Sequence, residues 1–204
     1  PVIDKLGRSD DLTKWAINTA LRQLKEWPNL WGDLSVAVNV TPALVETPDL
    51  LTYVSSALSI WDIEPSRLTL EVTEESIINN IEKCFENLSD IKNRGVKISI
   101  DDFGTGYSSM SYFKNIPANE LKIDQSFVMH MLENQADQNI TTVVTDLAHK
   151  FGLSVVAEGV ETKALLQALI AIGCDYAQGY HFSKPLPQSQ FIQWLNNYKS
   201  SDYF

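Results

Sequence analysis

Apolar positions along the chain switch repeatedly between two periods, a spacing of three to four that marks amphipathic helices and short stretches of shorter period that mark strands. Asp10 and Asp11 precede a helical pattern with Leu12, Trp15, Ala16, Ala20 and Leu24 on one face. A short apolar run from Leu34 to Asn39 predicts the first strand, and a helix is expected from about Pro48 to Trp61. The second strand is read over Leu68 to Val72. The helix after it carries Ile77, Ile81, Phe85, Leu88 and Ile91 and stops near Gly95, a residue suited to a helix C-terminus. Further strands are predicted at Val96 to Ile100, Glu120 to Asp124, Leu153 to Ala157 and Asp175 to Tyr180. Between them fall a short helical piece at about Ser109 to Phe113, a longer helical region running to about Phe151, and a helix over about 163–172. A last helix covers about Gln188 to Lys199.

Six strand-then-helix units in succession argue for parallel strands with helices outside. Two architectures satisfy that pattern. A doubly wound open sheet is complete with six strands, whereas a TIM barrel needs eight and usually about 250 residues. No glycine-rich turn follows the first strand, which weakens the dinucleotide-binding version of the open sheet. Periodicity alone leaves both open.

Composition narrows the class of protein. The 204 residues suit one domain spanning 1–204, and a hydrophobic share of 44% is enough for a substantial core. With 16 basic and 26 acidic residues the formal charge is −10. Polymeric nucleic acid and anionic membranes would be repelled at long range. A small phosphate ester is still compatible, provided that cations stand between it and the carboxylates. Cys84 and Cys174 fall in different elements and are read as free thiols of a reducing, cytoplasmic environment. No apolar run approaches the roughly 20 residues of a membrane span, so no membrane contact is expected of this domain. The first ten residues lack signal-peptide character, and without an initiator methionine the chain reads as a fragment of a longer one.

Candidate chemistry gathers where the predicted strands end. Asn39 closes the first and Glu71 lies late in the second. Asp101 and Asp102 follow the third, Lys122 and Asp124 lie in the fourth, Glu158 follows the fifth, and Gln178 lies in the sixth. In either architecture those ends share the rim on which active sites are built. Several carboxylates meeting there repel one another: two unit charges about 4 Å apart cost roughly 4 kcal/mol at an effective dielectric of 20. Divalent cations remove that cost, and an all-oxygen set with one amide suits magnesium, manganese or calcium. Two such ions sharing an aspartate are a recurrent phosphodiesterase device. The bland reading of any one of these residues is a helix cap, as it is for Glu74 and Glu75 at a helix start. The recurrence over six strands is what favours a site. Asp102-Phe-Gly104 matches the kinase magnesium motif but lacks its accompanying glycine-rich loop and strand lysine. The three histidines and five tryptophans are read as surface and packing residues.

Six segments then carry a family resemblance: Val36-Ala-Val-Asn-Val-Thr41, Leu70-Glu-Val-Thr-Glu74, Asp101-Asp-Phe-Gly-Thr-Gly-Tyr-Ser-Ser109, Leu121-Lys-Ile-Asp124, Ala157-Glu-Gly-Val-Glu-Thr162 and Gln178-Gly-Tyr180. In this order they resemble the motif set of the EAL-domain cyclic di-GMP phosphodiesterases. The resemblance implies a TIM-type (β/α)8 barrel and hydrolysis of cyclic di-GMP to linear pGpG. It implies that Asn39, Glu71 and Asp101 hold one magnesium or manganese ion, and that Asp101, Asp102 and Glu158 hold a second. Lys122 would orient the attacking water, and Glu158 has the divided role of ligand and general base. Gln178 would touch substrate, while Glu74, Thr105, Glu161 and Asp124 would brace the rim and its loops. Calcium is expected to inhibit. The loop after the paired aspartates would join the site to a homodimer interface, and upstream sensory or GGDEF domains are expected.

The family's eponymous Glu-Ala-Leu strand and the arginine that follows it are not in this sequence. The barrel is therefore expected to be incomplete here, with its first strands absent and open edges near Val36 and Tyr176, and this fragment is expected to be inactive alone. The alternatives are a catalytically inert cyclic di-GMP receptor and an interaction module built on a degenerate version of the same fold.

Overall fold

The computed structural model describes residues 8–27, 34–104, 113–199 and 203. The described elements run α1 (Ser9–Glu26), β1 (Val36–Asn39), α2 (Pro42–Val45), α3 (Asp49–Trp61), β2 (Leu68–Thr73), α4 (Glu74–Asn79), α5 (Ile81–Asn93), β3 (Lys97–Phe103), β4 (Glu120–Ile123), α6 (Gln125–Val128), α7 (Gln135–Lys150), β5 (Ser154–Ala157), α8 (Lys163–Ala171), β6 (Tyr176–Ala177) and α9 (Gln188–Asn197). Strand order follows sequence order, β1 through β6, with no reversal. A doubly wound sheet needs such a reversal, so that alternative falls. The chain divides into two compact units, the second taking residues 101–104 and everything described from Glu120 onward.

In the first unit β1 and β2 pair in parallel, Val36 opposite Leu68 and Asn39 opposite Glu71. Leu68, Leu70 and Val72 of β2 are fully buried, and Thr69 and Glu71 nearly so. Burial of alternate positions alike marks a parallel strand covered on both faces. Helix α1 buries Thr13, Ile17, Leu21 and Leu24. The face expected from sequence shares only Leu24 with that set, and Trp15 is 63% exposed. Leu12, Trp15, Ala16 and Ala20 instead line a groove of about 880 Å³ alongside Ala37 and Asn39 of β1. The helix thus has two apolar sides, and sequence period alone ranked them wrongly. The aspartates do not cap it: Asp11 pairs with Arg8, and Asp10 accepts a hydrogen bond from the Thr41 hydroxyl at 2.6 Å. The single helix expected across Ile77 to Ile91 is two, broken at Asn80, whose φ of −150° and ψ of 71° are not helical.

In the second unit β4 pairs with β5 and β5 with β6, all parallel. The helical region after β4 is also two helices, α6 and α7, the latter capped by the Asn134 side chain. Strand β6 is only two residues long because the chain turns at Gln178. Its amide still bonds to the Ala157 carbonyl at 2.8 Å, after which the Val160 amide donates to the Gln178 carbonyl at 3.0 Å. The short helix expected near Ser109 falls outside the described residues for most of its length. Both cysteines are free, and no described helix is long and apolar enough to cross a membrane.

Candidate active site

Strand β3 runs three residues further than the periodicity predicts, to Phe103, so Asp101 and Asp102 belong to the strand itself. Asp101 is buried while Asp102, with its backbone in the left-handed region at φ 54°, is exposed. Aspartate is among the few non-glycine residues that visit that region, at some cost. The Asp102 amide donates to the Asp101 carboxylate at 3.0 Å.

Lys122, third residue of β4, is almost fully buried. Its ammonium lies 3.0 Å from Asp101 Oδ1 and 2.7 Å from Glu158 Oε1. Glu158 follows β5 directly, and its amide donates to the Ile123 carbonyl at 3.1 Å, which ties it to the end of β4. One carboxylate oxygen from each of Asp101, Asp102 and Glu158 lies within 4.8 Å of the others. Burial raises the Glu158 carboxyl above its ordinary range; the lysine opposes the shift and the Asp101 and Asp102 charges add to it. Asp102 is raised as well, first by burial and then by the charges of Asp101 and Asp124. The cluster therefore holds more negative charge than one lysine neutralises, the condition under which a hard cation is favoured.

In the first unit Asn39, exposed, stands at the end of β1 opposite Glu71, which is buried, and the Val40 amide donates to the Glu71 carbonyl at 2.8 Å. Each offers oxygen donors of the kind magnesium and manganese take. Glu74 is buried at the first residue of α4, where a carboxylate also suits a helix start. Asp124 caps α6 by accepting from the Ser126 amide at 3.0 Å, so the bland reading of this residue holds beside its influence on Asp102. Glu161 and Gln178 are exposed, and Thr162 caps α8. Thr105 lies outside the described residues.

The sequence reading passed over the residues between these groups. Gly159 follows Glu158 and Gly179 follows Gln178; a Cβ at 179 would lie 2.2 Å from the Val160 carbonyl oxygen. A glycine placed directly after a polar residue at a strand end was the available signal.

A family model described as the EAL domain matches residues 1–185. Among curated proteins, the cyclic di-GMP phosphodiesterase NbdA of Pseudomonas aeruginosa is 38% identical over 95% of this chain and 25% of its own length. The first relatives are all matched over only 24% to 26% of their lengths. Among solved structures, the PaMucR phosphodiesterase in complex with c-di-GMP superposes with a TM-score of 0.89 at 36% identity, covering 94% of this chain and 78% of that one. The EAL domain of Mycobacterium smegmatis DcpA gives 0.86 at 35% identity, covering 92% and 85%. The likeness settles the architecture as part of a TIM-type barrel. On the matched motifs, the strand order and the family model together, the chain belongs to the EAL domain family.

Proposed function

We propose that this chain carries part of the machinery with which the parent domain hydrolyses one phosphodiester bond of cyclic di-GMP, giving linear pGpG, and that the fragment alone is inactive. The observation that carries the reading is the buried Lys122 ammonium held between Asp101 and Glu158, with the Asp102 carboxylate within reach of the same point. A structural ion pair needs one carboxylate; three around one lysine leave a charge deficit that a divalent ion meets. Names borne by relatives, a phosphodiesterase and a c-di-GMP complex among them, support the substrate.

In this proposal Asn39, Glu71 and Asp101 hold one magnesium or manganese ion, and Asp101, Asp102 and Glu158 hold the other. Ions bound there would supply polarisation of the phosphodiester and acidification of a water. Lys122, already desolvated and fixed by two carboxylates, donates a hydrogen bond that orients the attacking water. Glu158, when it serves as a ligand, has little basicity to spare, so its main part is to hold the ion and to aim Lys122. The exposed Gln178 presents its carboxamide to the substrate from a backbone held by Ala157 and Val160. Glu74 and Glu161 brace the rim, and the loop following Asp102 joins two copies of the domain.

The test is formation of pGpG from cyclic di-GMP by the full polypeptide that carries these residues, with magnesium, manganese or calcium. Glu71→Ala is expected to abolish turnover while far-ultraviolet circular dichroism stays unchanged, and calcium to support little hydrolysis because its flexible coordination positions water poorly. Unchanged turnover by Glu71→Ala in magnesium contradicts the ligand assignment. Tight binding of cyclic di-GMP without any cleavage assigns the receptor role instead.

A further inference from the structure

Helix α6 is a single turn, yet it touches the chain on both sides of the acidic cluster. It starts directly after Lys122-Ile-Asp124, with its first turn pinned by the Asp124 cap. The ring edge of Phe127 lies over Gly104, where a Cβ would stand 3.2 Å from Cε2 and 3.7 Å from Cζ. Gln125 lies against Gly159: a Cβ there would meet Gln125 Cβ at 2.6 Å, Met129 Cγ at 3.2 Å and Gln125 Cα at 3.3 Å. Both glycines have φ in the left-handed region, +96° and +72°. Gly104 comes two residues after Asp102, and Gly159 directly follows Glu158. The backbone beside each of these carboxylates therefore rests on the same helical turn, with no side chain of its own between.

We propose that α6 is a spacer that sets the separation of the Asp102 and Glu158 carboxylates, with Phe127 and Gln125 as its positioning residues. The inference rests on the reading of the cluster as a cation site. A magnesium ion takes oxygens at about 2.0–2.1 Å in near-octahedral order, and displacements of about 0.5 Å are enough to spoil such a site. The Asp102 side chain is exposed, so the position of its carboxylate follows from how the backbone from Asp102 to Gly104 is seated. Contact with a turn that directly continues the Lys122 strand and is capped by Asp124 places lysine and both carboxylates in one frame. If the contacts were ordinary packing, disturbing them would lower stability and leave cation affinity alone.

The experiment is a Mn2+ titration of the full chain followed by electron paramagnetic resonance, with thermal midpoints recorded without metal. Asp101→Asn marks the cation site and should abolish binding. Phe127→Ala should weaken Mn2+ roughly 10–100-fold, the usual effect of losing a residue that orients ligands, and Phe127→Leu should restore most of it. Gly159→Ala should weaken it as strongly, and Gln125→Gly added to it should recover part by removing the clashing Cβ. Should Phe127→Ala fail to fold, the Gly159 and Gln125 pair decides. Wild-type affinity in Phe127→Ala and Gly159→Ala, with Asp101→Asn inactive in binding, overturns the spacer while leaving the cation site standing. A wild-type chain that binds no Mn2+ removes both.

Discussion

Replacing Lys122 by methionine tests the electrostatic account most directly. The substitution keeps an unbranched side chain one atom shorter and deletes its charge. At 2.7 and 3.0 Å the ammonium attracts each carboxylate by about 6 kcal/mol at an effective dielectric near 20. Much of that is already spent on desolvating the lysine. Removing one partner from a buried ion pair typically costs about 3–5 kcal/mol. The lower end, about 3 kcal/mol, applies because the Asp101 and Glu158 side chains keep 12% and 18% of their exposure. For a chain of this size that is a fall of roughly 6–12 °C in Tm. Mg2+ or Mn2+ should return most of it, since the ion supplies the missing positive charge. The assay is thermal unfolding at neutral pH with and without the metal, alongside pGpG formation, in which the loss of water orientation should lower kcat by about 10²–10⁴-fold. A wild-type Tm in metal-free buffer would falsify the charge argument, and a lowered Tm that metal leaves unmoved would show that the cluster is not where the cation goes.

Three other outcomes are expected. Glu158 and Asp102 have carboxyls raised in the folded state, so their contribution to stability is complete below the unfolded carboxylate range and is lost as pH rises through their folded values; metal-free Tm should fall across that window, and saturating Mg2+ should flatten the fall. Gly179→Ala forces a Cβ to 2.2 Å from the Val160 carbonyl oxygen, a contact that only backbone movement relieves, so it should cost about 1–3 kcal/mol in urea unfolding and raise KM for cyclic di-GMP more than it lowers kcat. Cys174, its thiol pushed up to about 11 by burial, should react with iodoacetamide at neutral pH far more slowly than a free cysteine, as mass spectrometry of the modified peptide would show.

How far the sequence alone reaches can be judged element by element. The stretches Leu68 to Val72 and Val96 to Ile100 announce strands because apolar and polar residues alternate along them, a period of two that survives reading in one dimension. Asn39, Glu71, Asp101, Lys122, Glu158 and Gln178 stand out in the sequence for a related reason: each is a polar group at or near the C-terminal end of a predicted strand. Tertiary structure decided what depends on neighbours distant in sequence. Thr13, Ile17 and Leu21 are buried on α1 although Leu12 and Trp15, which line a groove, make an equally apolar stripe, because which stripe is covered depends on the elements that pack against the helix. The lysine bridge between Asp101 and Glu158, the left-handed turn at Asp102, and the rest of α6 on Gly104 and Gly159 are likewise invisible in the string of residues. A glycine shows in sequence only that a side chain is missing there. What fills the space, and hence whether the space sets a distance between two carboxylates, is fixed by the packing of separate segments in three dimensions.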